Sequence, residues 1–394
     1  MNQSEKKFIE IHMLQNYAPS NLNRDDTGSV KDCTFGGYPR ARISSQCRKR
    51  SIRTSEFFQE ALQDKLGERT KFLPEEIKKY LINEKKFSKD VATKWAEKFM
   101  SIGKSDKKGG NEEEKETKKK KEDVKEDAIL QTAQLMFYGK EELNKIIDWI
   151  VKNKNSEIPD KIEPKDIQKA ISELKTKPVD IALFGRMTTL EAFEDVNAAC
   201  QVSHAISVNQ FSTDFDYFTA VDDLSNKYRE DSGSAHLGET EFTSSCFYQY
   251  YAIDYDAFVQ SIGDAQLAKS AIAAFLKAAT LSHPTGKQNS FAAHNPAHFI
   301  GIEIKSKKIP TNLANAFIKP VKPTNSTSLI EEASNKLAEY AVRNRKAFSL
   351  PIKETAVFLF DGKDKAGKDF TEKVENRFDT LDEIVSWLEK QLEA

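Results

Sequence analysis

Arg40-Ala-Arg-Ile-Ser-Ser-Gln-Cys-Arg-Lys-Arg-Ser-Ile-Arg53 is the stretch from which the rest of the chain can be read. Its first four residues read as a short strand. Ser44 and Ser45 then supply N-cap chemistry for a helix beginning near Gln46, because a serine oxygen accepts the unpaired amides of a first helical turn. That helix is basic at its start, through Arg48, Lys49, Arg50 and Arg53, and turns apolar at Phe57, Phe58 and Leu62. Upstream, Phe8-Ile-Glu-Ile-His-Met-Leu14 alternates with near period two and reads as a first strand. A polar loop from Ser20 to Gly37 joins the two.

Downstream, from about 56 to 176, the pattern is mostly helical. Pro74 opens one helix, Ser88 caps a second that stops at Gly103, and residues 140–152 and 164–175 form two more. Inside this block, residues 104–127 hold nine basic and nine acidic side chains and no aromatic, which reads as a solvated, mobile insertion. The competing reading is a nucleic-acid tail through Lys118 to Lys121. After it the period changes. Val179-Asp-Ile-Ala-Leu-Phe184 reads as a buried strand leading into Gly185-Arg186-Met187, and two β-rich runs within 199–223 are expected to pair as an extended hairpin. Strands are expected at Ser244 to Asp254, Phe299 to Ile304 and Thr355 to Asp361, and helices at Leu267 to Leu281 and Ser328 to Phe348. Thr380-Leu-Asp-Glu383 fits a capping box before a last helix. Interleaved elements of this kind imply an α+β fold.

The chain has 394 residues, more than one typical domain, and 39% are apolar, with 25 Phe. That suffices for a sizeable core and excludes wholesale disorder. A formal charge of −1 argues, taken alone, against a basic nucleic-acid binder. The average hides patches, however. Residues 24–53 carry eight basic side chains against three acidic ones, whereas residues 354–394 carry six basic against eleven acidic. Local patches, not the sum, govern what binds where. Four scattered cysteines without a Cys-x-x-Cys pair suit a reducing compartment. The start MNQSEKKFIE lacks the apolar run of a signal peptide, and no long apolar segment follows; a soluble cytoplasmic protein with no membrane partner is expected.

Catalytic signatures are missing. Phe35-Gly36-Gly37 is no dinucleotide fingerprint, Gly286-Lys287 lacks the rest of a Walker loop, and no G-x-S-x-G occurs. His294 and His298 are four apart, but Pro296 lies between them, so no metal site and no cofactor is expected. Asp25, Asp26 and Asp32 have two readings: a Mg²⁺ and phosphate arrangement for cleaving RNA, or carboxylates that shape their own loop.

Several blocks are specific enough to name a family. Asn23-Arg-Asp-Asp26, Lys31-Asp32, Phe35-Gly-Gly37, Arg42-Ile-Ser-Ser-Gln46 and Lys49-Arg50 resemble the CasC backbone subunit of type I-E CRISPR Cascade. So do residues 179–187, Asp216-Tyr-Phe-Thr-Ala-Val-Asp-Asp223, Gly233-Ser-Ala-His-Leu-Gly238, Gly286-Lys-Gln288 and Asn295-Pro-Ala297, in the family's order. The resemblance implies a modified ferredoxin-like (RRM-type) palm, a helical fingers insertion and a β-hairpin thumb. On that plan the palm takes 1–55, 177–192 and 224–394, the fingers 56–176 and the thumb 193–223. It also implies a non-catalytic antiviral role. Copies stack in a hexamer-like helical backbone along CRISPR RNA, present its spacer to target DNA, and meet subunits of the CasA, CasB, CasD and CasE types.

Guide RNA with a variable spacer must be gripped through its phosphates. Arg24, Lys31, Lys49, Arg50 and Arg53 supply cations, with Lys49 and Arg53 one helical turn apart. Ser44, Gln46 and the amides at that helix start complete the phosphate set. The resemblance adds Met187, Tyr217, Phe218, Thr219 and Val221 against bases, and Lys287 as a further RNA contact. Read without it, the charges are equally a solvated face and Met187 a core residue. Two other readings remain: a type III-like subunit that cleaves target RNA with Asp25 or Asp26, and a monomeric RNA-binding module of the same fold. The acidic C-terminal segment either covers the sheet or meets the basic face of a neighbouring copy.

Overall fold

The computed structural model describes residues 6–100, 102, 129–154, 158–159, 162–188, 192–220, 236–360 and 365–393. The charged run at 104–127, Val221 and Asp222-Asp223 lie outside the described residues. Two compact units emerge, one of residues 1–61, 199–259 and 264–394, the other of 62–198 and 260–263.

The first unit is built on a ten-stranded sheet. Its strands are β1 (Phe8–Ser20), β2 (Asp32–Phe35) and β3 (Tyr38–Ile43). After β4 (Gly67–Thr70) and β5 (Met136–Gly139), which pair in the second unit, follow β6 (Cys200–Val202), β7 (Ala205–Ser207), β8 (Asp214–Ala220) and β9 (His236–Asp254). The last are β10 (Phe299–Lys305), β11 (Ile352–Leu359) and β12 (Arg377–Phe378). The order is β12-β11-β10-β1-β9-β7-β3-β2, with β6 and β8 also on β9. Central β1 runs antiparallel to both β9 and β10, and the helix Ala265–Leu281 connects those two flanking strands.

Both faces of β1 are covered. The Ile11 face looks toward the helices Ser45–Arg53 and Ala265–Leu281: Tyr251, opposite Ile11, meets Phe275 edge-on at 5.3 Å and donor groups of Arg48. The Phe8–Leu14 face lies under the helix Leu329–Ala347 and the turn Leu313–Phe317. Alternation along Phe8–Leu14 therefore marks two buried faces, not a dry one and a wet one, and Glu10 and His12 have no water to turn to.

They are satisfied by an ionic network instead. Lys305 pairs with Glu10 and lies 3.6 Å from Glu303, while Arg345 Nε holds Glu303 at 2.9 Å. Tyr250 Oη donates to Glu10, the Thr311 amide donates to it at 2.6 Å, and His12 Nδ1 lies 2.8 Å from Tyr248 Oη. Burial would raise the Glu303 carboxyl, but Arg345, His12 and Lys305 together hold it below the usual glutamate value. At Glu10 burial outweighs Lys305 and its pKa is raised. Glu10, His12 and Glu303 stand close enough to share a cation. Lys305 and Arg345 already neutralise both carboxylates, so we assign them a structural role.

Three expectations are corrected. Val179–Phe184 is a short helix, not a strand: Pro178 precedes it with extended backbone, and Asp180 Oδ1 accepts the Gly67 amide at 2.7 Å. A six-residue apolar run carries no period long enough to separate the two. The β-rich runs of 199–223 do not pair with each other. Cys200–Val202 and Ala205–Ser207 join the distal half of β9, and Asp214–Ala220 pairs with its start, Asp214 opposite Phe242 and Phe218 opposite Gly238. Finally, the helix from Ser45 breaks after Arg53 and restarts at Glu56.

The capping expectations hold at Ser88 and Thr380, and Ser328 also caps its helix. The acidic helix Leu381–Glu393 covers its own chain, with Glu393 on Lys269 at 2.6 Å and Asp382 on Lys277 at 2.7 Å. In the second unit the helices Leu73–Asn83, Lys89–Phe99, Lys140–Lys152 and Pro164–Ile171 enclose a core with Trp95 edge-on to Trp149. No helix of the described residues is long and apolar enough to cross a membrane.

Burial pushes His12 down to about 4, and burial with the charge of Arg48 does the same to His283. Both imidazoles are neutral in the fold but take up a proton near pH 6.5 once unfolded. As pH falls from about 6.5 toward 4 the unfolded state binds more protons, so stability declines across that window. Glu303 extends the loss to lower pH and Glu10 opposes it. Urea melts at stepped pH will show the decline, and a His12→Gln, His283→Gln variant will flatten it.

Candidate nucleic-acid interface

The helix Ser45–Arg53 starts as its sequence demands. Ser44 is extended, its Oγ accepts the Cys47 amide at 3.2 Å, and its own amide donates to Asn23 Oδ1 at 2.9 Å. Ser44 is thus turned inward as the cap, and what it leaves at the surface is the amide end of the helix. Gln46 and Arg50 are exposed, Lys49 and Arg53 half-buried. The first turn holds no acidic residue.

Arg48 and Arg40 face the other way, which corrects the patch counted from the sequence. Arg48 is buried and donates to the carbonyls of Ala279 at 2.8 Å and Ser282 at 3.1 Å, and to Tyr251 Oη at 3.2 Å. Arg40 donates to the carbonyls of Ser207, Val208 and Phe317 at 2.9, 2.7 and 2.6 Å. Neither reaches a phosphate. Six cations of residues 24–53 remain on the exposed side: Arg24, Lys31, Arg42, Lys49, Arg50 and Arg53. Arg42 was missed as a contact residue: it shares a strand face with Arg40, two residues away, but is only half-buried, so strand alternation cannot separate the two. Its Nη1 lies 3.3 Å from His204 Nδ1, and the His204 pKa is lowered by partial burial and then by Arg42 and Lys31.

The loop before β2 is tied to this helix. The Lys31 amide bonds the Asn23 carbonyl at 2.9 Å, and the Arg42 amide the Lys31 carbonyl at 2.8 Å. Asp25 Oδ1 accepts the amides of Thr27 and Ser29 at 2.9 and 3.0 Å and the Thr27 hydroxyl at 2.8 Å, which lowers its pKa. Its carboxylate shapes the loop. A cleft of about 520 Å³ brings Arg24, Asp25, Asp26 and Cys47 together with Thr285 and Gly286. Gly286 sits so close that a Cβ there would meet the Leu22 carbonyl oxygen at 2.5 Å. This approach delivers Lys287, in a left-handed conformation (φ 51°), to the same region.

Tyr217 and Phe218 are adjacent on β8 and point to opposite faces of its ribbon with β9. Phe218, 44% exposed, lies across Gly238 on the face that carries Phe242, whose ring meets Phe291 of the Lys287 loop at 5.6 Å. Tyr217, 68% exposed, shares the other face with Phe215, Thr219 and Leu237. The two rings therefore cannot serve one face. Met187 belongs to the second unit and is 95% exposed, so it is not a core residue.

The sequence model of the family described as CT1975-like protein matches residues 9–387. The chain belongs to this family. No curated protein matches it. Among solved structures it is similar to a chain titled "CRISPR RNA-guided surveillance complex, pre-nicking", at 28% identity and a TM-score of 0.77, over 98% of this chain and 99% of that one. A second, titled "CRISPR RNA-guided surveillance complex", shares its fold at 22% identity and a TM-score of 0.70, over 98% and 99%. The likeness to a Cascade backbone subunit carried by the motifs is borne out at this level.

The division among the arginines is directly testable. Arg48→Met strands three acceptors and should destabilise the chain by about 3 kcal/mol in denaturant melts. Arg50→Ala should leave stability within about 0.5 kcal/mol.

Proposed function

We propose that this chain is a CRISPR RNA-binding backbone subunit of a surveillance complex of the type I-E kind. In this reading copies stack along the guide, hold its spacer for pairing with target DNA, and assemble with other Cascade subunits. The observation that carries it is the sorting of charge at the opening of the chain. Two arginines are spent inside, and six cations are presented around a helix start, a cleft and the Lys287 loop. Such a surface holds phosphates without reading bases, which a guide with a variable spacer requires. Strand order supports a ferredoxin-like palm: β1, helix, β6–β7, β9, helix and β10 follow one another in sequence and lie in the order β10-β1-β9-β7. The β8–β9 ribbon supports the thumb, and the helical second unit the fingers.

The role is non-catalytic in this reading. Asp25, one of the two carboxylates that a target-RNA-cleaving subunit would use, is engaged by Thr27 and Ser29 of its own loop. Among the described residues, the cleft that Asp26 lines holds no carboxylate from a second segment, and two-metal chemistry gathers ligands from more than one.

If each copy neutralises about three phosphates, log K on single-stranded RNA falls by roughly two per decade of salt. A Lys49→Ala, Arg53→Ala variant should flatten that slope; an unchanged slope overturns the assignment. In the same preparation, complementary RNA with Mg²⁺ should stay intact. Regular cleavage that Asp26→Ala abolishes would replace the proposal by the type III-like one.

A further inference from the structure

Met187 is almost fully exposed, yet hydrogen bonds hold the backbone on either side of it. Gly185 ends the helix Val179–Phe184 with φ 81° and ψ 160°, a conformation closed to other residues, and a Cβ there would sit 3.0 Å from the Val196 carbonyl oxygen. Arg186 then pairs with Val196 through both backbone groups, at 3.0 and 2.8 Å. Its buried guanidinium binds Glu142 twice, at 2.9 and 3.0 Å, donates to the carbonyls of Glu194 and Phe137, and lies 5.3 Å from the centre of the Phe193 ring. Glu142 is itself fixed, since it accepts the Gly139 amide at 2.8 Å at the start of the helix Lys140–Lys152. Beyond Met187, the Thr188 amide donates to Asp195 Oδ1 at 2.7 Å. The residue is pinned on both sides and left bare in the middle.

These contacts tie the second unit together, and the conformation they fix ends in an exposed methionine. Burying a salt bridge is costly unless its geometry is nearly ideal, and it secures specificity of conformation more than stability. An exposed methionine gains nothing for the core. We infer that Arg186, Glu142 and Asp195 are positioning residues that hold Met187 as a preformed apolar wedge for a base of the bound RNA. The inference rests on the proposed function, in which Met187 meets RNA, and adds which residues set its geometry. Methionine has three soft side-chain torsions, so fixing its backbone removes the part of the ordering cost that can be met before RNA arrives.

The test uses the full chain assembled on single-stranded RNAs that each carry one 2-aminopurine, whose fluorescence rises when its base is unstacked. Wild type should brighten at a regular subset of positions. Met187→Ala should abolish this and weaken binding about tenfold. Asp195→Ala should reduce the brightening and weaken binding about threefold. Asp195→Asn, which keeps an acceptor for the Thr188 amide, should restore both. Arg186→Lys, which loses the bidentate pair, should act like Asp195→Ala, with the salt slope unchanged because the phosphate contacts lie elsewhere. Asp195 is exposed, so its pair of variants stays informative even where Arg186→Lys impairs folding. If Met187→Ala brightens like wild type, the assignment of Met187 to RNA fails. If Met187→Ala loses brightening while Asp195→Ala keeps it in full, the positioning role alone is overturned.

Discussion

The guanidinium of Arg48 is the interaction on which the exposed basic surface of the opening segment depends. It projects from the inner side of the helix Ser45–Arg53 and receives the carbonyls of Ala279 and Ser282, at the C-terminal end of the helix Ala265–Leu281. Helix ends leave carbonyls unpaired and carry partial negative charge, so a cation there meets two needs at once. The bond fixes the rotation of the short helix about its axis. Once Arg48 is inward, Arg50 is outward and Lys49 and Arg53 share a flank. It also anchors Ser282, from which the chain leaves toward Gly286 and Lys287. Two of the groups that define the interface are thereby placed by one side chain that never touches it.

The same economy appears in the sheet. A central strand covered on both faces leaves no wet side for polar residues, and β1 nonetheless carries Glu10 and His12. An unpaired buried charge would not be tolerated. Lys305 and Arg345 neutralise the carboxylates, and Tyr248 and Tyr250 take up the remaining hydrogen bonds. The network joins three strands to the helix Leu329–Ala347. It specifies the register of β1 between β9 and β10, since a shift of one residue would exchange Glu10 and His12 for Ile9 and Ile11 on that face.

Much of this was legible from sequence where the chemistry was local. Ser44, Ser88, Ser328 and Thr380 cap helices as their residue types dictate, and the helices at 140–152 and 265–281 follow from long periodic runs. What failed was of two kinds. Val179–Phe184 is too short to show a period, and Pro178 and Asp180 decided it through a contact with Gly67 that no local pattern encodes. The β8–β9 ribbon failed because its second strand begins near Gly238, Glu239 and Glu241, residues that dilute any β signal. Charge was legible as a patch but not in its sorting. Arg40, Arg42 and Arg48 look alike in a count, and only tertiary contacts turn two of them inward.

That sorting changes what the near-zero net charge means. Among the described residues the acidic C-terminal helix answers Lys269 and Lys277 of its own unit. The basic opening segment, by contrast, is stripped of its two structural arginines and keeps the rest at the surface. A protein that grips a polyanion needs cations whose positions are set by something other than the polyanion itself. Here buried arginines, hydrogen-bonded to backbone carbonyls, fix the elements that display the exposed ones. On the proposed function, binding would proceed on a surface already organised, and less of the electrostatic gain would be consumed in ordering it.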